Sequence, residues 1–219
     1  MIEYLKNLRG SFKDTGSINS STVQSFFNET QNLMFDDKTA ALEQHAVIDI
    51  IKDIPNKRIL DLGCGDGRYS DVIGTYEYYQ GVDFANSFID TCKNRAEKNF
   101  ICADICNFAV EQKFNIVLLI GVITYLEDDD VRKLARNIKS MMLDDAVVVL
   151  RSVTLKDKGH KKLYYDSGKW SWIFRFLKPR YQIIRRTKEY ELSLFDGLHP
   201  SSIVDIHETS YTLYTLERV

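Results

Sequence analysis

Residues 59–70 read ILDLGCGDGRYS: aliphatics broken by an acid, Asp61, then glycines at 63, 65 and 67. Glycine at those positions lets the main chain turn sharply and approach a ligand with no Cβ in between. From Tyr69 the chain resumes as a helix whose first amides face the same ligand. A strand, a glycine turn and a helix in this order can serve several nucleotide-like ligands, and spacing separates them. A dinucleotide turn requires G-x-G-x-x-G; here the third glycine comes one residue early and Arg68 occupies its place. A phosphate loop requires G-x-x-x-x-G-K-[ST], which is also absent. Two further acids, Asp83 in GVDFA and Asp104 in FICADIC, follow apolar runs, and Tyr125 follows a third. The four cysteines (64, 92, 102 and 106) have no C-x-x-C spacing, and Cys102-x₃-Cys106 has no histidine near it in sequence, so they read as reduced, packed thiols and no metal site is expected.

These residues need a scaffold that brings strand ends together. Strands are expected near 58–62, 78–83, 100–103, 114–120 and 146–151, with helices near 68–75, 86–98 and 128–142. The strand runs are continuously apolar, as in parallel strands covered on both faces. The βαβ rhythm argues for a doubly wound α/β sheet. Asp128–Asp130 open the last of these helices, where negative charge suits the helix dipole better than it suits a metal. Ahead of the sheet two helices are expected, the second at about 38–53 and stopped by Pro55. Residues 153–186 lack the rhythm. A short helix then starts after Thr187 as N-cap, and two alternating strands, 202–208 and 211–218, suit antiparallel pairing at a sheet edge.

With 219 residues, 44% of them hydrophobic, the chain can bury one sizeable core, and a single domain is expected. A net charge of −2 gives no whole-molecule argument for nucleic acid or membrane. No run of 18 apolar residues occurs and MIEYLKNLRGSFKD lacks the apolar core of a secretion signal, so the expected location is cytoplasmic.

The pattern D-x-G-x-G-x-G at 61–67 resembles motif I of the class I S-adenosylmethionine-dependent methyltransferases, and the likeness extends over about residues 37–219. It implies a Rossmann-like, doubly wound seven-stranded sheet with an antiparallel last strand. The parts would be an N-terminal helical cap (1–56), a cofactor-binding core (57–152), a lid-like substrate insert (153–186) and a last helix with a strand pair (187–219). The implied cofactor is S-adenosyl-L-methionine, leaving S-adenosyl-L-homocysteine as product. Its ammonium would meet Asp61 and the Gly63 carbonyl, and its carboxylate the amides of the turn (Cys64, Gly65, Gly67) or Arg68. Its ribose would meet Asp83, which lies 22 residues beyond Asp61. Its adenine would lie against Phe84 and bond to Asp104 and the Ile105 amide, while Ile120 and the residues after it would pass beside the sulfonium. Phe26, Phe27 and the N-terminal helices would fold over it and exclude water.

The acceptor is less legible. Enzymes of the family that methylate exocyclic base amines or glutamine amides carry [DNS]-P-P-[YF] after the fourth strand, whereas this chain has IGVITY, and no cysteine nucleophile for 5-methylcytosine chemistry stands there. The chain is more similar to the small-molecule branch, and no nucleic-acid partner is expected. From Lys156 to Lys188 eleven Lys or Arg stand against two Asp, a net of +9 in a chain whose total is −2. That surplus suggests an anionic acceptor, such as a nucleotide-linked sugar, a phosphorylated metabolite or a natural-product intermediate, methylated on O or N; the alternative is a basic face paired with the acids of the body. Within it Trp170, Ile173, Phe174 and Leu177 recur at i, i+3, i+4 and i+7, as an amphipathic helix would, whether as a lid, as core packing or on an anionic lipid surface. Candidate substrate contacts are Tyr125, Trp170, Arg175, Arg180, Arg185 and Arg186, and candidate bases are His160 and Tyr125. The competing readings are methylation of a lipid-linked glycan at a membrane surface, aminopropyl transfer, and a non-catalytic cofactor-binding subunit.

Overall fold

The structure is a computed structural model that describes residues 23, 24, 27, 28, 37–93, 99–154, 160–165, 181–207, 209 and 211–218. Helix α1 (Asp37–Ile51) leads into β1 (Arg58–Leu62), α2 (Tyr69–Val72), β2 (Tyr78–Asp83), α3 (Asn86–Cys92), β3 (Asn99–Cys102) and β4 (Phe114–Ile120). A 3₁₀ turn (Ile123–Tyr125), α4 (Asp128–Met141) and β5 (Met142–Val153) follow. The chain continues through β6 (His160–Tyr165), β7 (Tyr181–Arg186), α5 (Lys188–Leu192), β8 (Leu198–Asp205) and β9 (Tyr211–Arg218).

Seven strands form one sheet in the order β3-β2-β1-β4-β5-β9-β8. Strands β1 to β5 are parallel, and β9 runs antiparallel to both β5 and β8. Alternate residues of the central strands feed two cores, one on each face. Leu60, Leu62, Val117 and Leu119 pack with Val131, Leu134 and Ile138 of α4. Ile59, Ile116 and Leu118 pack with Val47 and Ile51 of α1. Both faces of β1 and β4 are therefore covered, which is why their sequences are apolar without alternation. Helix α4 buries Val131, Leu134, Ala135, Ile138 and Met141, carries three acids in its first turn and has Lys139 in its last, so stripe and dipole agree.

The expected boundaries shift in four places. Helix α2 is one turn, Tyr69–Val72. β5 is longer than its apolar run because Met142 also pairs, across a register shift, with Phe114. β8 starts at Leu198 and takes in Pro200, tolerated because the strand lies at the sheet edge and its register shifts between Pro200 and Ser202. The fourth is the insert, whose flanks form a separate antiparallel ribbon, β6 with β7, pairing His160 opposite Arg186. Aromatic and β-branched residues in HKKLYY and YQIIRR were the available signal. The amphipathic segment Trp170–Leu177 lies outside the described residues. Thr187 does cap α5, its side chain accepting the Tyr190 amide at 3.3 Å.

Candidate cofactor and acceptor site

The glycine turn is pinned to β2. The amides of Gly63 and Cys64 both donate to the Val82 carbonyl, at 2.7 and 3.1 Å. Gly63 has φ +78°, and a Cβ there would stand 2.2 Å from a Val122 methyl, so both conformation and space demand glycine. Asp83 accepts the Gly65 amide on one oxygen and the Ala85 amide on the other, each at 2.9 Å. Burial raises its pKa and the amide hydrogen bonds oppose the rise. A carboxylate has about four acceptor positions, so the two amides leave capacity for hydroxyl donors.

Asp61 is 1% exposed and accepts the Tyr79 phenol at 2.6 Å. Burial pushes its pKa up to about 7; the Tyr79 hydrogen bond opposes the rise, while Asp83 and Asp66 add to it. A carboxyl so placed favours a cation beside it. Asp104 receives the Cys106 amide at 2.9 Å and the Asn107 side-chain amide at 2.6 Å, so it shapes its own turn.

These groups surround one cavity of about 490 Å³ at the C-terminal ends of β1 to β4. Its walls include Asp61, Gly63, Cys64, Gly65, Arg68, Asp83, Phe84, Asp104, Ile105 and Ile120. Gly67 is not in the wall; its amide closes the turn onto the Cys64 carbonyl at 2.9 Å. Val23, Gln24 and Phe27 also line the cavity. The Gln24 amide donates to the Phe84 carbonyl at 2.7 Å. The Phe27 ring lies 5.8 Å from Phe84 and edge-on to Tyr125 at 5.2 Å, in the range of favourable aromatic pairs. Phe26 lies outside the described residues.

Beyond β4 the wall contains a buried charge pair absent from the sequence-based expectations. Arg151 at the end of β5 and Glu43 of α1 meet Nε to Oε2 at 2.6 Å, their side chains 4% and 6% exposed. Glu43 also accepts the Tyr69 phenol at 2.8 Å, and the Arg151 guanidinium lies 4.3 Å from the centre of the Tyr211 ring. A Cβ on Gly121, which has φ +74°, would come within 2.6 Å of that guanidinium. One signal existed: Glu43 stands four and eight residues before Val47 and Ile51, on the buried face of its helix.

Tyr125 lines the cavity. Burial raises its pKa, opposed in part by Arg151, so the phenol holds its proton at neutral pH. Arg186, expected to contact an anion, is instead completely buried, bound to Asp128 and to the carbonyls of Ile123 and Leu126. It belongs to the internal packing, donating to the Leu126 carbonyl and adding donors to the Ile123 carbonyl and Asp128, which also accept the Leu126 amide and the Tyr190 hydroxyl. Arg185 is half-buried and not part of the cavity wall. Trp170, Arg175 and Arg180 lie outside the described residues, as does the His160 side chain. Lys188 pairs with Asp205 at 2.7 Å, so part of the basic surplus is neutralised within the protein. Among the described residues no His, Cys, Asp and Glu group is arranged to hold a metal ion.

Residues 59–145 match a protein-family model described as a methyltransferase domain. No curated protein sequence matches. Among solved structures, a S-adenosylmethionine-dependent methyltransferase from Leishmania major superposes with a TM-score of 0.72 at 13% identity, covering 90% of this chain and 82% of that one. A S-adenosylmethionine-dependent methyltransferase from Clostridium acetobutylicum gives 0.63 at 14%, with 90% and 98% covered. The N-methyltransferase NodS from Bradyrhizobium japonicum, in complex with S-adenosyl-L-homocysteine, gives 0.66 at 16%, also with 90% and 98% covered. At these identities the likeness is one of fold. The methyltransferase-domain match over 59–145, the strand order with its antiparallel β9, and a cavity walled by the glycine turn and three strand-end acids agree with one another, and the fold is that of S-adenosylmethionine-dependent methyltransferases.

Proposed function

We propose that this enzyme methylates an O or N atom of a small molecule bearing an anionic group. The observation that carries this reading is the wall of the cavity on the β5 side, where Arg151 stands one strand beyond β4 in a cavity that Val23, Gln24 and Phe27 also line. A volume of about 490 Å³ lies within the range of small-molecule sites and must hold both cofactor and acceptor group. Arginine presents a planar fork of five donors, and the Nε–Glu43 pair fixes its orientation. The surplus of +9 between Lys156 and Lys188 adds long-range attraction for an anion.

When bound, S-adenosylmethionine supplies an electrophilic methyl group on a sulfonium. Asp61 with the Gly63 carbonyl holds the ammonium, the turn amides or Arg68 the carboxylate, Asp83 the ribose, and Asp104 with Phe84 and Ile105 the adenine. The chain's own contribution is alignment and exclusion of water, which convert a bimolecular encounter into an oriented one. Tyr125 donates a hydrogen bond to the acceptor. His160, whose backbone pairs with Arg186 beside the 3₁₀ turn, is the candidate base for a hydroxyl acceptor.

The test has two stages. Calorimetric titration with S-adenosyl-L-homocysteine should give binding that Asp83→Ala weakens about a hundredfold or more, the scale of two charge-assisted hydrogen bonds. Labelled methyl transfer is then measured on phosphorylated, nucleotide-linked and carboxylated small molecules, with protein, RNA and anionic vesicles carrying lipid-linked glycan as rival acceptors. Turnover confined to macromolecules or vesicles would overturn the small-molecule reading. Among the described residues no helix is long and apolar enough to cross a membrane.

A further inference from the structure

The 3₁₀ turn that carries Tyr125 is held by few bonds of its own. The Tyr125 amide donates to the Val122 carbonyl at 2.9 Å and the Leu126 amide to the Ile123 carbonyl at 3.2 Å. A single 3₁₀ turn of this kind has poor hydrogen-bond geometry and no cooperative length, so its position must be set from outside. Ile123 anchors the turn in the core, and its polar support comes from Arg186, the last residue of β7, whose side chain is fully buried. Its Nη1 donates to the Ile123 carbonyl at 3.0 Å and its Nη2 to the Leu126 carbonyl at 2.7 Å, bracketing Thr124 and Tyr125. Nε and Nη2 both reach Asp128 Oδ1, at 2.9 and 2.7 Å, and Tyr190 of α5 donates to Oδ2 of the same acid at 2.5 Å. On the opposite side of the turn the Tyr125 ring meets Phe27, and Phe27 packs against Phe84 and Phe88.

We infer that Arg186 is a positioning residue: it sets the turn that aims Tyr125 into the cavity, and so couples the returning strand of the insert to the aromatic cover over the cofactor. The inference rests on the assignment of the cavity as the cofactor site. Only a planar guanidinium serves two carbonyls and a carboxylate from one buried position; lysine keeps the charge but not the fork. Coupling between sites is reciprocal, so filling the cavity steadies β7 just as β7 steadies the turn. Arg186 thereby affects methyl transfer without touching the acceptor, in contrast to the anion contact its place in a basic run suggests.

Amide hydrogen exchange on the full chain, with S-adenosyl-L-homocysteine as probe, tests this. Without ligand, Arg186→Lys and Asp128→Asn should each speed exchange of residues 121–127 about tenfold, the scale of one lost charge-assisted hydrogen bond, and leave 59–68 unchanged. With ligand, the wild-type protein should gain protection at 59–68, at 121–127 and also at 181–186. In either variant the gain at 181–186 should disappear while that at 59–68 persists. A purely structural arginine would not make the protection of β7 depend on the ligand. Asp128→Asn keeps the shape of the site and covers the case in which an arginine variant fails to fold. Protection at 59–68 without any change at 181–186 in the wild type, or unaltered exchange of 121–127 in both variants, would overturn the inference. Absence of ligand protection everywhere would instead overturn the cofactor assignment on which the inference rests.

Discussion

Tyr79 donates its phenolic hydrogen to Asp61 at 2.6 Å from the neighbouring strand, with both side chains closed off from solvent. The hydrogen bond favours the charged carboxylate, but burial dominates, and the Asp61 pKa stands at about 7. In its proposed role as partner of the cofactor's ammonium, Asp61 must be ionised. Affinity for S-adenosyl-L-homocysteine should therefore fall as pH drops below about 7, approaching tenfold per unit. Calorimetry at pH 5.5, 6.5 and 7.5 in buffers of differing ionisation enthalpy should show proton release growing toward acid. Tyr79→Phe removes the opposing hydrogen bond and should move the midpoint to higher pH. An affinity flat across this range would exclude Asp61 as the ammonium partner.

Gly63→Ala should abolish cofactor binding and destabilise the fold by roughly 1–3 kcal/mol or more, combining positive φ with a methyl clash. Adding Val122→Ala relieves the clash at 2.2 Å but not the backbone conformation, so it should recover only part of the stability. Gly74 has φ +80° with nothing within 4 Å of an added Cβ. Gly74→Ala should thus show the conformational cost alone, about 1–2 kcal/mol, with binding intact. Thermal melts and calorimetry of the three variants separate the two effects.

Glu43→Gln strands a buried guanidinium and should cost about 3–5 kcal/mol, the scale for breaking a buried ion pair. The double change Glu43→Leu with Arg151→Met removes both charges and should recover much of that stability and keep S-adenosyl-L-homocysteine affinity. Methyl transfer to the acceptor found in the screen should nevertheless fall by a hundredfold or so, the scale of an Arg–anion contact. Full turnover by the stable double variant would remove Arg151 from the acceptor site.

Glu191 is completely buried and accepts the Ser152 hydroxyl at 2.7 Å. Burial raises its pKa from 4.5 to about 7, opposed by the Ser152 hydrogen bond, the Arg186 charge and the Tyr214 hydroxyl. The folded state therefore holds a proton that the unfolded state has lost between those two values. Its stabilising contribution is complete below about pH 4.5 and gone above about 7. Glu191→Gln lacks this dependence. Its stability relative to the wild-type protein, measured by denaturant melts, should rise from pH 5 to 7 and level off above.

Much of the cavity wall was legible because it is local. Asp61, the glycine turn, Asp83 and Asp104 each sit at or just beyond the end of a strand, and parallel strands linked by βαβ units all end on one side of the sheet. Order along the chain then converts directly into position around a cavity. The ribbon of β6 and β7 went unread because its residues follow a different period from the parallel strands and pair only with each other.

What the sequence by itself determined is therefore the doubly wound core, the turn and the acids that line the cavity. Only the tertiary structure decided the fate of the charges. Arg185 and Arg186 are neighbours in one basic run, yet Arg186 meets an acid 58 residues away and two carbonyls, while Arg185 stays half-buried. Glu43 and Arg151, 108 residues apart in sequence, meet in the cavity wall. Charge type is written in the sequence, but desolvation and partner choice are set by which distant segments packing brings together, and these decide whether a cation binds a ligand or holds the fold.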